Sequence, residues 1–262
     1  MNLDLTGKNA LVCGGSAGIG KACAIELAAL GAAVTLGSRD TTKLESAIAQ
    51  LPTPKGQRHG YIVLDTSKPQ EAQDLLSAYL KQHGPCHILI NNTGGPPSGA
   101  MADATAQQLQ GAFDTLLLSA HLLTQAILPG MKHAQYGRII NISSTSVKQP
   151  IANLGLSNAI RAAVSNWAKT LSQEVARFGI TVNTVLPGYT NTERLTQLFS
   201  AKSEKTGQPL DEITKETIAS IPAGRLGDPQ EIAAMVAFLA TPAAAYINGV
   251  QIPVDGGRLG CL

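Results

Sequence analysis

The sequence predicts an α/β fold in which a doubly wound parallel β-sheet lies between two layers of helices, three layers in all. Short runs rich in Val, Ile and Leu recur along the 262 residues and alternate with longer segments of helical periodicity. The runs are apolar throughout, which is typical of strands in a parallel sheet that is covered on both faces. We therefore expect about seven strands, with ligands at their carboxyl ends.

Seven runs supply the predicted strands. In chain order they are NALVCGG (9–15), AAVTLGS (32–38), HGYIVLD (59–65), CHILINN (86–92), GRIINISS (137–144), ITVNTVLP (180–187) and GVQIPVDGG (249–257). Residues 193–222 depart from the alternation because they are polar and are predicted to form two short helices before the helix near Asp228. We interpret this insertion as a substrate lid. Since no linker interrupts the chain, residues 1–262 are expected to form a single domain.

Composition narrows the classes of partner. The net charge of +2 comes from 20 basic and 18 acidic residues without a long basic run, so neither nucleic acid nor an anionic membrane is expected. The first residues lack the pattern of a signal peptide, and no stretch is judged apolar over the length of a membrane span. Cys13, Cys23, Cys86 and Cys261 show no C-x-x-C spacing. We expect a cytoplasmic protein without a metal site, whose partners are small molecules and copies of itself.

A glycine-rich turn directly follows the first strand. The sequence GGSAGIG (14–20) leads into the apolar, helix-periodic segment KACAIELAALG. Glycines at this point allow a tight turn and let backbone N–H groups approach a pyrophosphate, and the helix N-terminus favours negative charge. Glycine turns between a strand and a helix also occur without a ligand, but the position at the first βα turn indicates dinucleotide binding.

Four motifs together resemble the short-chain dehydrogenase/reductase family. They are the glycine turn, which has Cys13 where the family has threonine, NNTG (91–94) for NNAG, PGYTNT (187–192) for PGxxxT, and VDGG (254–257), which closes the oxoacyl reductase-like members. The motifs fall in the family's order and span nearly the whole chain. The resemblance implies a Rossmann fold and a dinucleotide-binding domain.

The resemblance also implies cofactor contacts, residue by residue. The residues implied to surround the phosphates and the adenosine ribose are Gly14, Ser16, Gly18, Ile19 and Gly20. Asp65 and Thr66 are implied to flank the adenine, and Asn92 and Gly94 to line the ribose groove of the cofactor. Thr192, which follows Pro187 and Gly188, is implied to hold the nicotinamide carboxamide. For Asp65 and Asn92 the alternative is ordinary hydrogen bonding at a strand end. Thr192 is equally compatible with a helix N-cap before Glu193.

The end of the second strand predicts NADP(H) over NAD(H). A family member specific for NAD would carry an acidic residue at position 38 to bind the ribose 2′-hydroxyl. Here Ser38 is neutral, and Arg39 can pair with a 2′-phosphate. Asp40 is predicted to cap the next helix.

The family's catalytic set is only partly present. Members transfer a hydride between nicotinamide and a carbonyl or alcohol, using a tyrosine, a lysine four residues later, a serine thirteen residues earlier and an asparagine in the preceding helix. Ser144 matches the serine, but Ser157 and Arg161 stand at the tyrosine and lysine positions, and Leu116 stands at the asparagine position. The segment WAKTLSQEVARFGITVNTVLPG, which matches the family without a gap, sets this register.

The replacements change the available chemistry. A phenol has a pKa of about 10 and can be tuned toward neutrality, whereas an aliphatic hydroxyl such as that of Ser157 is a poor proton donor. Arg161 stays protonated, yet its planar group can bind ribose hydroxyls or an anionic substrate group. The alternative interpretation is a helix with a small residue and a surface arginine one turn apart.

Two functions remain open at this stage. The first is an oxidoreductase that reduces a carbonyl of an oxoacyl-like or other medium-sized ketone with an unusual proton donor. Tyr189, Lys148 and His121 are the candidates, with Tyr189 favoured, although each is more simply a structural residue and His121 a packed one. The second is a dinucleotide-binding sensor or assembly partner with little or no catalysis. The apolar residues of the lid suit a medium-sized, partly apolar ligand; they are Leu195, Leu198, Phe199, Ile213 and Ile218.

A homotetramer is the expected assembly. The segment from Leu116 to Ile127 is apolar on nearly all sides, and such a helix needs more cover than its own sheet provides. The resemblance implies that this helix and the one that carries Ser157 contact a second subunit, and that the C-terminal strand forms another contact. The alternative is that both helices are deep core.

Overall fold

All seven predicted strands form, and they lie in one parallel sheet. The computed structural model describes residues 1–261, and the strand order is β3-β2-β1-β4-β5-β6-β7. The strands are β1 (Asn9–Cys13), β2 (Ala33–Ser38), β3 (Gly60–Val63), β4 (Ile88–Asn91), β5 (Gly137–Ile142), β6 (Ile180–Pro187) and β7 (Gln251–Val254). The predicted α/β fold class is confirmed.

Helices cover both faces of the sheet. Within the described residues they are α1 (Gly18–Ala29), α2 (Thr41–Ile48), α3 (Pro69–His83), α4 (Ala106–Phe113), α5 (Ser119–Ala134), α6 (Gly155–Val175), α7 (Glu193–Thr206), α8 (Leu210–Ala219) and α9 (Pro229–Ala240). Local residue types explain where several begin. Asp40 accepts from the N–H of Lys43 at 3.0 Å, which confirms its role as the N-cap of α2. At α9, Asp228 and Glu231 form a capping box.

The core consists of two layers, one on each side of the sheet. On one side α1, α2 and α9 pack on the central strands, with residues such as Leu27 and Val236 fully buried. On the other side α3, α5 and α6 pack on the same strands around Leu123 and Val182. Because both faces are covered, the strands are apolar throughout, as their sequences predicted.

The cysteines within this core behave as apolar side chains. Cys13, Cys23 and Cys86 are buried free thiols, and burial raises the pKa of each to about 12. A thiol in that state is a small hydrophobe and not a nucleophile.

The stretch Ala106–Ala134 corrects one expectation from the sequence. It runs from α4 through a π-helical turn (Asp114–Leu118) into α5, and by length and composition alone it is able to cross a membrane. In the fold it packs against α3, α6 and β5, and residues such as Leu123 and Ile127 are buried there. Part of its apolar surface is therefore buried in the core of the fold.

The strand order creates a crevice at one edge of the sheet. β1 pairs with β2 on one side and with β4 on the other, so the chain reverses its direction of travel across the sheet at β1. In open α/β sheets, ligands bind outside the carboxyl ends of the strands at such a point. The loops after β1, β2, β4, β5 and β6 converge here.

Candidate active site

One cleft, with a volume of about 570 Å³ and open to solvent, runs along the carboxyl ends of the strands. Most residues that the sequence singled out line it or its extension toward β3. The main cleft contains Gly14, Gly18, Ile19, Arg39, Asn92, Gly94, Ser144, Ser157, Arg161, Pro187, Gly188, Tyr189 and Thr192, and the extension contains Ser38, Asp65 and Thr66. Among the predicted cofactor contacts, Ser16 and Gly20 are the two that do not line it.

The glycine turn is held by close backbone packing. Gly14 and Gly18 have φ angles of +59° and +52°, a region in which other residues are strained. A Cβ at Gly20 would overlap the carbonyl oxygen of Gly14, so Gly20 permits contact between α1 and the turn. The Asn92 amide donates to the carbonyls of Cys13 and Gly14 at 3.3 and 3.4 Å. Asn92 therefore supports the turn as well as lining the cleft.

The N-terminus of α1 is free to receive an anion. Ala17 provides no capping side chain, and no acidic residue lies in the first turn. A helix leaves its first N–H groups unpaired, and at α1 these groups lie beside the cleft. No acidic side chain in the first turn neutralises their partial positive charge. This arrangement fits a pyrophosphate.

The far end of the cleft is formed by the ends of β2 and β3. Ser16 Oγ donates to Ser38 Oγ at 3.0 Å, and exposed Arg39 lies beside them. Asp65 accepts from the N–H and hydroxyl of Ser67 at 2.9 and 2.8 Å. Burial opposes ionisation of Asp65, but the Ser67 hydrogen bonds and the charges of Arg39 and Lys68 lower its pKa. Asp65 thus makes strand-end hydrogen bonds and also faces the cleft.

Ser157 and Arg161 form a linked pair at the end of β5. Arg161 Nε donates to Ser157 Oγ at 3.1 Å, and its Nη1 donates to the carbonyls of Ile142 and Ser143 at 3.2 and 2.9 Å. Burial, with the nearby charge of Arg194, lowers the pKa of Arg161 to about 10, so the side chain stays protonated at neutral pH. Arg161 is therefore part of the cleft wall and not a surface arginine.

Ser144 stands beside this pair. Its Oγ accepts from the N–H of Ser146 at 3.1 Å at the start of a short 3-10 turn, Thr145–Val147. Because that bond uses a lone pair, the Ser144 hydroxyl proton remains available to donate into the cleft. The neighbouring Ser143 Oγ is buried and has no hydrogen-bond partner among the described residues.

Only one of the three substitute donors lines the cleft. Tyr189 does so, with its ring packed near Phe199 and beneath the Arg258 guanidinium, 4.6 Å from the ring centroid. Lys148 is exposed outside the cleft. His121 accepts from Trp167 Nε1 at 3.3 Å, which matches the simpler expectation of a packed residue.

Leu116 lies in the π-helical turn, a feature that the sequence did not predict. Leu116 packs with Leu156, Ile160 and Val164 of α6. It also borders a small inner cavity that Arg161 and other polar groups line. π-turns inside α-helices are frequent at functional sites, and this one brings an apolar side chain next to the Arg161 group.

Residues 193–222, the predicted lid, form two helices, α7 and α8, but most of the apolar residues named in this segment face inward. Leu195, Phe199 and Ile213 are buried in a small core between α7 and α8. Leu198 and one side of Leu195 line the cleft. The expectation that the apolar lid residues as a group suit a ligand is therefore wrong for Phe199 and Ile213, which hold the lid together. Thr192 begins α7 by accepting from the N–H of Leu195 at 3.4 Å, and it also lines the cleft.

Two cleft residues were missed by the sequence reasoning. Arg194 follows Thr192 by two positions and donates to the carbonyl of Pro96 at 2.8 Å. Arg258 comes directly after the VDGG motif and donates to Thr145 Oγ1 at 3.5 Å. Both arginines follow a recognised motif, which was the signal available in the sequence. The sequence around each arginine does not show that the two side chains line the same cleft.

The comparison with known families decides the classification. Residues 14–258 match the family described as enoyl-(acyl carrier protein) reductase. The chain belongs to the short-chain dehydrogenase/reductase family. This places it among the NAD(P)-dependent oxidoreductases of that family.

Relatives of the chain cover nearly its whole length. The 3-oxoacyl-[acyl-carrier-protein] reductase FabG of Vibrio cholerae is 38% identical over 97% of this chain and 98% of its own. The crystal structure of L-sorbose reductase from Gluconobacter frateurii, complexed with NADPH and L-sorbose, superposes with a TM-score of 0.93 and 29% identity over the full length of both chains. An actinorhodin polyketide ketoreductase solved with NADPH gives a TM-score of 0.90 and 31% identity over 97% of this chain and 98% of that one.

Proposed function

We propose that this chain is an NADP(H)-dependent reductase of a medium-sized ketone or oxoacyl compound, with a proton source other than residue 157. The observation that carries the proposal is the single cleft that joins the glycine turn, Ser144 and Thr192. Cofactor and substrate sites in one continuous space are what hydride transfer requires. Relatives that reduce oxoacyl groups or L-sorbose support the same reaction class.

The residues present fit NADP(H). The uncapped start of α1 suits the pyrophosphate, and Gly94 leaves open space, because a side chain there would meet nothing within 4 Å. Arg39 and Lys43 line the adenosine end of the cleft, while Ser38 offers no carboxylate that would repel a 2′-phosphate. Arg161 and Thr192 would hold the nicotinamide half. When bound, the reduced cofactor supplies the hydride.

Ser144 is proposed to bind the substrate oxygen. Its hydroxyl is oriented by the Ser146 N–H and is free to donate to a carbonyl, which polarises the carbon toward hydride. Ser157 adds a second hydroxyl, held by Arg161, that orients substrate without acting as an efficient acid. We assign the proton to Tyr189, because it is the phenol that lines the cleft.

Substitution at Tyr189 tests this proposal. Purified protein with NADPH and a panel of oxoacyl thioesters, cyclic ketones, ketoses and quinones should consume cofactor with at least one class. Tyr189→Phe is then expected to lower kcat by about 10²- to 10⁴-fold, the usual contribution of general acid catalysis. Tyr246→Phe, at a fully exposed tyrosine, is the matched control and should leave kcat unchanged. Equal loss in both variants, or no loss at Tyr189, refutes the assignment of the proton.

A second function is favoured by the Ser157–Arg161 pair. Arg161 is held by two strand carbonyls and stays protonated, so it passes no proton, and Ser157 is a weak acid. A protein with this arrangement can bind a dinucleotide as a sensor or assembly partner without turnover. Tight NADPH binding in a fluorescence titration, together with no NADPH oxidation by any of the four substrate classes, would establish this function over the reductase.

A further inference from the structure

We infer that the ligand that occupies the Ser144 end of the cleft carries a carboxylate, which Arg194 and Arg258 bind beside Arg161. This inference rests on the proposed reductase function for the identity of the ligand as substrate. The three arginines come from the lid helix α7, the C-terminal segment after β7, and α6, so the site exists only in the folded chain.

The guanidinium groups of Arg194 and Arg161 both approach Gly95. If residue 95 had a Cβ, that atom would lie 3.4 Å from Arg194 Nη2 and 3.5 Å from Arg161 Nη2. Arg194 is held in place by the carbonyl of Pro96, and Arg161 is held by the end of β5. Two like charges fixed next to each other in a half-buried cleft repel, and an anion between them removes that repulsion.

The third guanidinium, that of Arg258, lines the same cleft. Arg258 Nη1 donates to Thr145 Oγ1, the residue after Ser144, and its plane lies over the Tyr189 ring. Arg258 Nε is buried and has no hydrogen-bond partner among the described residues. A buried donor without an acceptor costs free energy that a bound anion can recover.

No carboxylate of residues 1–261 forms an ion pair with these three arginines. Within residues 1–261 the ion pairs are Lys68–Glu71, Lys202–Glu216 and Arg225–Glu231, and all three lie elsewhere. Glu193 is the acidic residue of the main cleft, and it is exposed and forms none of these pairs. The Ser144 end of the cleft is therefore left with an uncompensated positive charge.

The cofactor does not account for the charges of Arg194 and Arg258. Its pyrophosphate has the start of α1, and a 2′-phosphate has Arg39 and Lys43 at the opposite end. A substrate carboxylate matches the planar fork of an arginine, which binds it with two parallel hydrogen bonds. A free oxo acid carries a carboxylate close to its ketone. An oxoacyl thioester does not, because the acyl group next to its ketone is uncharged.

The test compares two ketones that differ only in charge. Protein saturated with NADP⁺, so that no reduction occurs, is titrated calorimetrically with 4-oxopentanoate and with its methyl ester. The acid is expected to bind about tenfold or more tightly, since a hydrogen-bonded charge typically contributes about 1.5–3 kcal/mol. Arg194→Gln and Arg258→Gln should each reduce this preference, and Arg258→Lys should retain part of it. Arg177→Gln, at an exposed arginine at the far end of α6, should leave it unchanged.

Each contrary outcome has a defined meaning. Equal binding of acid and ester, binding of neither, or a preference that survives both glutamine variants overturns the carboxylate site. Weaker NADP⁺ binding in the Arg194 and Arg258 variants with an unchanged acid preference would assign those arginines to the cofactor, and tighter binding of inorganic phosphate than of the acid would exclude a carboxylate. If the acid binds selectively but NADPH reduces neither ketone, the anion site stands and the reductase proposal falls. If both ketones bind with equal affinity and are reduced at equal rates, the reductase proposal stands and the carboxylate site falls.

Discussion

At the residue scale, the glycine turn depends on glycines that have no Cβ atom. Gly20 allows α1 to begin against the Gly14 carbonyl, and Asn92 ties the same carbonyl to the end of β4. The implied place of Gly20 near the phosphates stays a prediction, and in this structure the residue also serves packing.

Gly20→Ala is expected to destabilise the protein by about 1–3 kcal/mol, because a forced methyl in a packed site shifts its surroundings. NADPH affinity should fall with it, since the Gly14 turn must move. The control is Gly111→Ala in α4, where an added Cβ meets nothing within 4 Å. That change should be neutral or stabilise by up to about 1 kcal/mol, the helix preference of Ala over Gly. Urea unfolding measures both, and equal stability of the Gly20 variant and the wild type would refute the packing role.

His87 is expected to make stability depend on pH. Its Nδ1 accepts from the N–H of Asn9 at 3.0 Å, which requires the neutral ring. Burial, with the charge of Lys8, lowers the pKa of His87 in the folded state below 6.5. The unfolded chain therefore binds the proton more readily, and stability falls as the pH drops through and below 6.5. Thermal unfolding between pH 8 and pH 5 should show a smaller decline in His87→Gln than in the wild type, while exposed His133→Gln should decline as the wild type does.

At the element scale, the π-turn and α6 together shape the inner wall of the cleft. Leu116, Ser157 and Arg161 come from these two segments and surround the inner cavity and the cleft. Their replacement as a group is consistent with the proposal that they occupy the family's asparagine, tyrosine and lysine positions. Once the phenol is absent, neither a lysine to tune it nor an asparagine to relay its proton has a task.

Under the second function, in which no group supplies the proton, the triple variant Leu116→Asn, Ser157→Tyr, Arg161→Lys should raise ketone reductase activity by about 10²- to 10⁴-fold if the rest of the site is intact. All three changes are made together because residues that act as a unit are not additive. NADPH affinity should change little, since the glycine turn and Arg39 remain. Steady-state NADPH oxidation is the measurement. A wild-type protein that already reduces simple ketones at ordinary reductase rates would contradict the premise.

The lid is expected to depend on its own small core. Ile213 of α8 is fully buried against Leu195 and Phe199. Ile213→Ala should cost about 2–5 kcal/mol of local stability, the usual cost of such a truncation. Limited proteolysis should then cut within 193–222 faster, and KM should rise. Leu210→Ala, at a residue 41% exposed in the same helix, should be cut at the wild-type rate; equal cutting of the two variants would show that this core does not hold the lid.

At the scale of the whole molecule, the faces of α4 and α5 away from the sheet remain partly apolar. Leu109 and Phe113 are each 37% exposed, and Leu117 and Leu122 are half-buried. We retain the homotetramer as a prediction, with α4 to α6 as one of its interfaces. Light scattering at micromolar concentration should give the tetramer mass for the wild type and a smaller mass for Phe113→Glu. Leu75→Glu, at a 41% exposed leucine of α3, should remain tetrameric. A wild-type monomer would mean that these helices are only core.

The sequence by itself determined the seven strands, the parallel sheet and the edge at which the cleft opens. These features follow from patterns that are local in the chain: apolar runs, a glycine turn after β1 and caps such as Asp40 and Thr192. Side-chain periodicity and capping act over a few residues, so they can be read before the chain is folded.

Only the tertiary structure decided how the cleft is charged and supported. Arg258 meets Thr145 across 113 residues of sequence, and Arg194 meets Pro96 across 98, so no local pattern reports that they line one cleft with Arg161. The inward-facing core of α7 and α8 and the burial of Leu116 in the π-turn depend likewise on which surfaces pack together. Burial and contacts between distant segments set the energies of these groups, and both exist only once the sheet has assembled.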